Sequence, residues 1–428
     1  KRKRHAIYKW IQNARIYQIL IDRYVGYKEQ YSIEDLKKNF IYGNLHALTE
    51  KLDYIKSMNF NMIWLTPFYV NQPNGYHGYH AININHVDPR FAFGEKPPNN
   101  DIGDPFDPKD VEKETEADLE LQKFIKECHK KNLLVMMDIV PNHFYKTHPL
   151  FLDALKNPNS KYRNWFYFLD NPKNKYVPYM TFLSVGDLPK LNLENDECRK
   201  HLVDYTNKFL SYGIDAIRVD HCIGPSLDSL KKIVQEIHKS YPDVPFIGEC
   251  LTIGTEKDAD TLLSFKDLPR DKIRAVNTVT LNSLKDLDDV FLIFKDVLDG
   301  VLDFTFQIIV SMYADGNINE NQCLQEIEKH FERFRTIKDF VLVKNIDSHD
   351  EDRILFKCKN NAERFYKIMN MLYKTYNNRN DPLIVYYGTE DYMTQDKSIF
   401  GESYGDYRCR MPMKFNFQWM KNFCTEKK

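Results

Sequence analysis

The residues of this sequence that are best suited to chemistry are charged side chains at the ends of short apolar runs. Residues 213–221, Gly-Ile-Asp-Ala-Ile-Arg-Val-Asp-His, read as a strand that is buried on both faces and ends in Arg218 and Asp220. Two positions apart on a strand, these side chains point the same way, and the arginine keeps the carboxylate ionised near neutral pH. An ionised, oriented aspartate at the end of a barrel strand is a candidate nucleophile. A buried structural ion pair is the alternative that this stretch leaves open.

Further polar side chains fall at or just past the ends of other predicted strands: Asp138, His143, Glu249, His349 and Asp350. In a closed parallel barrel these strand ends share one rim, where active sites lie. Carboxylates at one rim repel each other, which raises the pKa of at least one of them. Glu249 has no cationic neighbour in the sequence, so we expect it to be the protonated acid. A carboxylate and a carboxylic acid facing one cleft form the arrangement that glycoside hydrolysis needs.

Two other kinds of site use the same residue types. Carboxylates and histidines can together bind a metal ion, but the sequence has no His-x-x-x-His or similarly clustered ligand spacing. A phosphate site is disfavoured because no glycine-rich strand-to-helix turn is present. We therefore expect no catalytic metal and no required cofactor.

The elements that must position these residues alternate between strand and helix along the chain. Strands are predicted at residues 16–21, 62–65, 133–138, 214–219, 244–248, 301–306, 340–346 and 383–387. Helices are predicted near residues 44–57, 116–131, 196–212, 226–240, 287–298, 318–336 and 361–376. Because no hairpin signature interrupts this alternation, the eight strand–helix units predict an α/β fold, a (β/α)8 TIM barrel.

One long segment departs from that alternation. Residues 141–192 are rich in Asn, Pro and aromatic side chains and have no clear periodicity, which predicts a subdomain inserted after the third strand. We therefore expect residues 1–140 and 193–428 to form the two parts of a catalytic barrel, with residues 141–192 as the inserted subdomain (domain B).

Charge and composition exclude several classes of protein. The chain has 428 residues and a net charge of −1, which provides no electrostatic footprint for nucleic acid or a membrane surface. It has no apolar run long enough for a transmembrane helix. The eight cysteines are scattered without a Cys-x-x-Cys pair, which predicts reduced thiols and a cytoplasmic location. The oligomeric state stays open, and a first residue other than Met leaves open the removal of an upstream segment.

Four short motifs follow each other along the chain: Asp138-Ile-Val-Pro-Asn142-His143, Ala216-Ile-Arg218-Val-Asp220, Ile247-Gly248-Glu249 and His349-Asp350. They are joined by the loop Tyr76-His77-Gly78-Tyr79 and by the strand that runs from Val385 to Glu390. In these motifs the sequence resembles the α-amylase family of glycoside hydrolases over nearly its whole length. The segment from Leu188 to Asn192, Leu-Pro-Lys-Leu-Asn, is similar to the version found in the neopullulanase, cyclomaltodextrinase and maltogenic amylase branch.

The resemblance implies a role for each residue of the site. Asp220 is expected to attack the anomeric carbon and form a glycosyl-enzyme, Glu249 to act as acid and then as base, and Asp350 to bind and distort the sugar. The residues expected to contact or frame the sugar are Tyr79, His77, His143, Arg218 and His349. Asp138 is expected to brace the site, and Asn142 stands where many relatives ligate a structural calcium, although no full ligand set is visible.

The resemblance also implies the substrates. We expect hydrolysis of α-1,4-glucosidic bonds in maltooligosaccharides, cyclodextrins or related α-glucans. A transglycosylase or isomerase on the same site is one alternative, with a sugar hydroxyl in place of water. A non-catalytic, amylase-like interaction module is another, and it would predict the loss of some catalytic carboxylates. The C-terminal β-sandwich common in the family has no counterpart in this sequence.

Overall fold

The centre of the molecule is a closed barrel of eight parallel strands. The structure is a computed structural model that describes residues 2–37, 39–170, 176–251, 256–267 and 280–415. In chain order the strands are β1 (Arg15–Ile19), β2 (Met62–Leu65), β3 (Leu134–Ile139), β4 (Ala216–Val219), β5 (Phe246–Gly248), β6 (Gly300–Asp303), β7 (Val341–Lys344) and β8 (Leu383–Tyr386). Each strand pairs with its neighbours in the chain, and the β8–β1 pairing closes the ring. The predicted (β/α)8 barrel is confirmed.

The barrel strands form where the sequence has short apolar runs that can be buried on both faces. Every residue of β2 and of β4 to β8 is buried, as expected for parallel strands enclosed by helices. Each strand overlaps its predicted range. The largest departure is at residues 301–306, where the strand ends at Asp303 because its side chain accepts a hydrogen bond from the Phe306 amide at 3.0 Å and caps a helix.

Helices enclose the barrel. Their bounds are Arg2–Ile11, Ile21–Tyr24, Ile33–Lys37, Leu45–Thr49, Leu52–Ser57, Pro89–Phe93, Glu116–Lys130, Pro149–Lys156, Asp196–Ser211, Leu227–Ser240, Leu284–Ile293, Phe304–Ala314, Glu320–Arg333, Ile354–Lys357 and Ala362–Tyr373. Polar residues begin many of them: the Ser226 hydroxyl, for example, accepts from the Ser229 amide at 3.1 Å. The single helix predicted at 44–57 is two short helices, and the helix Phe304–Ala314 was not predicted.

Two antiparallel hairpins correct the expectation that hairpins are missing. One pairs Tyr69–Asn71 with Ala81–Val87, and the other pairs Thr181–Phe182 with Val185–Pro189. The first hairpin was not predicted from the sequence because the long loop 72–80 joins its strands. The usual sequence signal of a hairpin is a two-residue turn. This loop contains Tyr76, His77 and Tyr79.

The described residues of the predicted insertion, 141–170 and 176–192, follow β3 and pack around aromatic side chains. The helix Pro149–Lys156 places Phe151 against Phe166 and Tyr179, with ring centroids 5.0 and 4.8 Å apart. Residues 252–285, which connect β5 to the helix Leu284–Ile293, are described only in part, and the described portion holds the short 3-10 turns Glu256–Thr261, Leu263–Phe265 and Leu281–Ser283. Within the described residues no helix is long and apolar enough to span a membrane, and the seven cysteines there are free thiols.

Candidate active site

Arg218 lies at the centre of the rim formed by the carboxyl ends of the strands. Its side chain is only 1% exposed, and its Nη1 lies 2.7 Å from Asp220 Oδ1 and 3.0 Å from Asp138 Oδ1. Its Nη2 contacts Glu249 Oε2. One guanidinium group therefore joins three of the carboxyl groups that the sequence placed at this rim.

The barrel register explains why these side chains meet. Asp138 of β3 is the direct strand partner of Arg218 of β4. Glu249 follows β5, and its amide continues the sheet by donating to the Val219 carbonyl at 2.8 Å. Asp220 follows β4 directly. Because side chains of neighbouring parallel strands lie side by side, the three carboxyl groups surround the arginine.

The contact with Glu249 corrects one sequence expectation. Glu249 was expected to lack a cationic partner, but Arg218 reaches it from the neighbouring strand. One positive charge cannot balance three carboxylates, so at least one of the three is expected to hold a proton near neutral pH. Burial is the main cause that raises the pKa of Glu249 to about 8 and that of Asp138 to about 7, while Arg218 opposes both shifts. Burial also raises the pKa of Asp220.

Asp350 has a cationic partner of its own. Arg410 Nη2 lies 3.0 Å from Asp350 Oδ1, and Arg410 Nε donates to the His349 carbonyl at 2.8 Å. Burial would raise the pKa of Asp350, but its contacts, with His349 Nε2 at 3.3 Å and above all with the charged Arg410, outweigh burial and hold the pKa below its usual range. Asp350 is therefore an anion, and its side chain is 45% exposed to the cleft.

Two of the expected sugar-contacting histidines are neutral. Burial is the main cause that lowers the pKa of His349 to about 4 and that of His143 to about 3. Gln18 Nε2 lies 2.7 Å from His349 Nδ1, and His143 Nε2 lies 3.1 Å from the Tyr79 carbonyl. Both imidazoles are thus oriented by protein contacts and add no positive charge to the rim near neutral pH.

Tyr79 forms a wall of the same rim. Its ring is parallel to that of His349, with centroids 5.5 Å apart, and its hydroxyl donates to Asp138 Oδ2 at 2.6 Å. His77 lies behind it, half-buried, and its ring is nearly parallel to the Tyr79 ring with centroids 5.9 Å apart. Burial lowers the pKa of His77 well below its ordinary value. The structure thus places His77 against the Tyr79 ring and half-buried, rather than on the outer surface.

Asn142 does not fit a calcium site in this chain. Its Oδ1 accepts a hydrogen bond from Lys190 Nζ at 2.6 Å, and the same ammonium donates to the Gly224 carbonyl at 2.9 Å. Lys190 is 1% exposed. A divalent cation would need these oxygens and would be repelled by the ammonium, so this oxygen set favours lysine over calcium. Among the described residues no group of His, Cys, Asp and Glu side chains is arranged to hold a metal ion.

Sequence reasoning missed four residues that support the site. Gln18 orients His349, Trp64 Nε1 donates to Asp138 Oδ2 at 3.3 Å, Arg410 pairs with Asp350, and Lys190 joins the inserted segment to the barrel. The polar Gln18 inside the predicted buried strand was the one local signal, because an amide in such a strand needs a partner. The other contacts join residues that are far apart in the sequence.

Comparisons with known proteins agree with this geometry. The family model described as the catalytic domain of α-amylase matches residues 18–425. α-Amylase 2 of Dictyoglomus thermophilum is 24% identical over 352 residues, which are 82% of this chain and 50% of that protein. The intracellular maltogenic amylase of Bacillus subtilis is 23% identical over 397 residues, 89% of this chain and 56% of that protein. The chain therefore spans about half the length of these curated relatives.

A solved structure supports the fold in the same way. The ligand-free cyclic α-maltosyl-(1→6)-maltose hydrolase from Arthrobacter globiformis superposes with a TM-score of 0.71. The match covers 97% of this chain and 82% of that one at 19% identity. At this identity the similarity establishes the barrel fold and leaves chemistry to be argued from the residues.

Proposed function

The chain belongs to the α-amylase family, and from that premise we propose that it hydrolyses α-1,4-glucosidic bonds with retention of configuration. The observation that carries the proposal is the contact of one guanidinium group, that of Arg218, with the carboxyl groups of both Asp220 and Glu249 at one rim. Arg218 favours the ionised form of Asp220, whereas the pKa of Glu249 of about 8 leaves that carboxyl protonated at neutral pH. A nucleophile and an acid on one rim supply what a retaining glycosidase needs.

In the first step, a carboxylate oxygen of Asp220 attacks the anomeric carbon as the glycosidic bond breaks. Glu249 gives its proton to the leaving oxygen, so the departing sugar leaves as an alcohol and the other sugar stays esterified to Asp220. In the second step, the Glu249 carboxylate takes a proton from water, whose oxygen attacks the anomeric carbon and releases Asp220. Arg218 stabilises negative charge on both groups as it appears in turn.

The remaining residues bind the sugar in this proposal. The anionic, half-exposed Asp350 accepts hydrogen bonds from sugar hydroxyls, and the neutral His143 and His349 bond the sugar beside the scissile bond. Tyr79 stacks on the same ring. Asp138 is fully buried beneath them and braces Arg218 rather than reacting.

Three further assignments belong to the same proposal. Maltooligosaccharides or cyclodextrins are the substrates, because the Leu-Pro-Lys-Leu-Asn segment, Leu188 to Asn192, resembles the branch that contains maltogenic amylases. Residues 141–192 act as an inserted domain B that completes the cleft. The cytoplasm is the site of action, a placement supported by free cysteines in the described residues and by a relative that is named intracellular.

Proton NMR of the protein with maltohexaose, α-cyclodextrin or pullulan tests the proposal. New α-anomeric reducing ends in the first minutes are expected with at least one glucan. Glycosidic linkages formed without net reducing ends would instead indicate transfer, and β-anomeric products would overturn retention.

Matched variants assign the roles. Asp220→Asn is expected to lower kcat by about 10³-fold or more, because the step that it removes cannot be bypassed. Glu249→Gln is expected to lower kcat by about 10²–10⁴-fold, the usual contribution of a general acid. Asp53→Asn, at a side chain 85% exposed on the outer surface, is the matched control and is expected to leave kcat unchanged. Equal activity in wild type and Asp220→Asn would refute the mechanism.

A further inference from the structure

Gln18 is a buried amide in the barrel strand β1. It is 1% exposed, and its strand neighbours are Trp64 of β2 and Tyr386 of β8. Its Nε2 lies 2.7 Å from His349 Nδ1, whereas its Oε1 has no hydrogen-bond partner among the described residues. A buried amide with an unpaired oxygen costs free energy that an apolar side chain of the same size does not cost. The position of Gln18 therefore indicates a role other than stability.

The contact between the two nitrogen atoms determines where His349 carries its proton. An amide nitrogen donates hydrogen bonds and does not accept them, so the 2.7 Å contact requires an unprotonated Nδ1. A neutral imidazole then carries its proton on Nε2. His349 Nε2 lies 3.3 Å from Asp350 Oδ2, and a carboxylate only accepts, so this second contact requires the same proton. Both contacts therefore select the neutral tautomer with a proton on Nε2.

The reversed orientation of the Gln18 amide allows one other consistent arrangement. Its Oε1 would then accept a hydrogen bond from a protonated Nδ1 of His349. If the ring were neutral, the lone pair of Nε2 would face Asp350 Oδ2, which is repulsive, so the reversed amide requires an imidazolium with protons on both nitrogens. The two orientations of the amide thus correspond to the two charge states of His349.

The groups that face His349 decide between these two states. Asp350 favours the imidazolium, whereas the cations Arg410 and Arg218 favour the neutral ring. Tyr79 stacks on the ring with centroids 5.5 Å apart, and its hydroxyl is not ionised because burial raises its pKa. Burial of the imidazole is the largest of these effects and lowers the pKa of His349 to about 4. The neutral ring is therefore the populated state at neutral pH.

We propose that Gln18 is a positioning residue that keeps the Nε2 proton of His349 directed towards Asp350 and the cleft. The side chains of Gln18, His349 and Asp350 line the same cleft. A donor on Nε2 beside the acceptor Asp350 matches a sugar hydroxyl, which both donates and accepts. The sugar-binding part of this inference rests on the proposed function, whereas the tautomer follows from the contacts of Gln18 and Asp350 alone.

Proton–nitrogen correlation NMR of protein isotopically labelled in its histidine rings tests the tautomer without any substrate. The signals of His349 are those that disappear in His349→Asn. Near neutral pH the wild type is expected to show a protonated Nε2 and an unprotonated Nδ1. Gln18→Glu places a carboxylate, which only accepts, beside Nδ1, so both ring nitrogens are expected to be protonated at the same pH. A proton on Nδ1 of the wild type, or an unchanged ring in Gln18→Glu, would overturn the proposal.

A substitution of similar size separates positioning from stability. Gln18→Met removes the hydrogen bond to Nδ1 and is expected to lower kcat/KM for maltohexaose about fivefold to tenfold, the loss of one hydrogen bond. The matched control is Gln307→Met in the helix Phe304–Ala314, at a glutamine that is 3% exposed and whose Nε2 has no partner among the described residues. Both variants are expected to unfold at similar urea concentrations, and only Gln18→Met is expected to lose activity.

The two measurements keep this inference separate from the proposed function. In a protein that hydrolyses glucans, equal kcat/KM per folded molecule in Gln18→Met and Gln307→Met would overturn the role of Gln18. The expected ring signals in a protein that hydrolyses no glucan would instead overturn the proposed function and support the tautomer.

Discussion

Replacing Arg218 by lysine tests how this site keeps its carboxyl groups in different protonation states. The guanidinium uses Nη1 for Asp220 and Asp138, at 2.7 and 3.0 Å, and Nη2 for Glu249. Lysine keeps the positive charge, but its single nitrogen cannot reach both sides of that fork. The substitution therefore removes one side of the contact while it keeps a positive charge beside the buried carboxyl groups.

The magnitude follows from the contact that is lost. A hydrogen bond to a charged group contributes about 1.5–3 kcal/mol, which corresponds to about a 10- to 150-fold fall in kcat/KM if the contact persists in the transition state. The pH profile changes as well. Arg218 lowers the pKa of both Asp220 and Glu249, so weakening its contacts raises both. The acid limb, where Asp220 must ionise, and the alkaline limb, where Glu249 must stay protonated, are both expected to move to higher pH.

The assay is kcat/KM for maltohexaose measured across about pH 4 to 10. In the wild type the alkaline limb is expected near the Glu249 pKa of about 8, and it should disappear in Glu249→Gln. Arg335→Lys, in an exposed pair with Glu332, is the matched control. Unchanged limbs in Arg218→Lys would refute this reasoning. So would a loss of activity that merely follows unfolding, measured by far-UV circular dichroism.

Three other residues provide further tests. Arg410→Met removes the 3.0 Å contact with Asp350 and is expected to raise KM for maltohexaose about tenfold with a smaller change in kcat. Michaelis kinetics measure both parameters, with Arg408→Met as the control. If KM and kcat of Arg410→Met fell together, the effect would be merely structural. Lys190→Met removes two hydrogen bonds and is expected to lower the free energy of unfolding in urea by about 1–3 kcal/mol, whereas EDTA should leave the wild-type midpoint unchanged; a chelator-sensitive midpoint would contradict the lysine assignment. His330 lies between Asp288 and Asp303, at 2.8 and 2.7 Å, which raise its pKa from 6.5 to about 10 despite its burial. The stabilisation of the fold by the protonated His330 is complete below pH 6.5 and is lost as pH rises towards 10. His330→Phe is therefore expected to lower the free energy of unfolding in urea by about 3–5 kcal/mol at low pH, and by less as pH rises over that range. A decrease that does not depend on pH would refute this assignment.

The barrel could be predicted because its strands carry their own signal. Runs such as Ile-Trp-Leu in β2 and Leu-Ile-Val-Tyr in β8 are too apolar to be exposed on either face. The helix Phe304–Ala314 could not be separated from the strand before it, because its first residues continue the same apolar run and the break depends on the Asp303 cap. The hairpin that carries Tyr79 was missed because its long loop resembles an irregular connection.

The residues that meet at the candidate site could be predicted from the sequence, but the contacts among them could not. Asp220 and Glu249 could be identified because each is a charged residue at the end of a buried strand, where burying an unpaired charge costs free energy. The contact between Arg218 and Glu249 depends on which strands are neighbours and on how far the guanidinium reaches. Arg410 lies 60 residues beyond Asp350 in the chain, so its pairing depends on how the last described loop folds back over the barrel.

Protonation alone does not decide which carboxyl group is the acid. Asp138 also has a raised pKa, of about 7, and could hold a proton at neutral pH. Its side chain is 0% exposed, however, and Trp64, Tyr79 and Arg218 already bond its oxygens. Glu249 is 15% exposed and makes its contact with Arg218 through Oε2. In the proposed mechanism the general acid must reach the leaving oxygen, so access favours Glu249 for that role, while the buried Asp138 contacts Arg218.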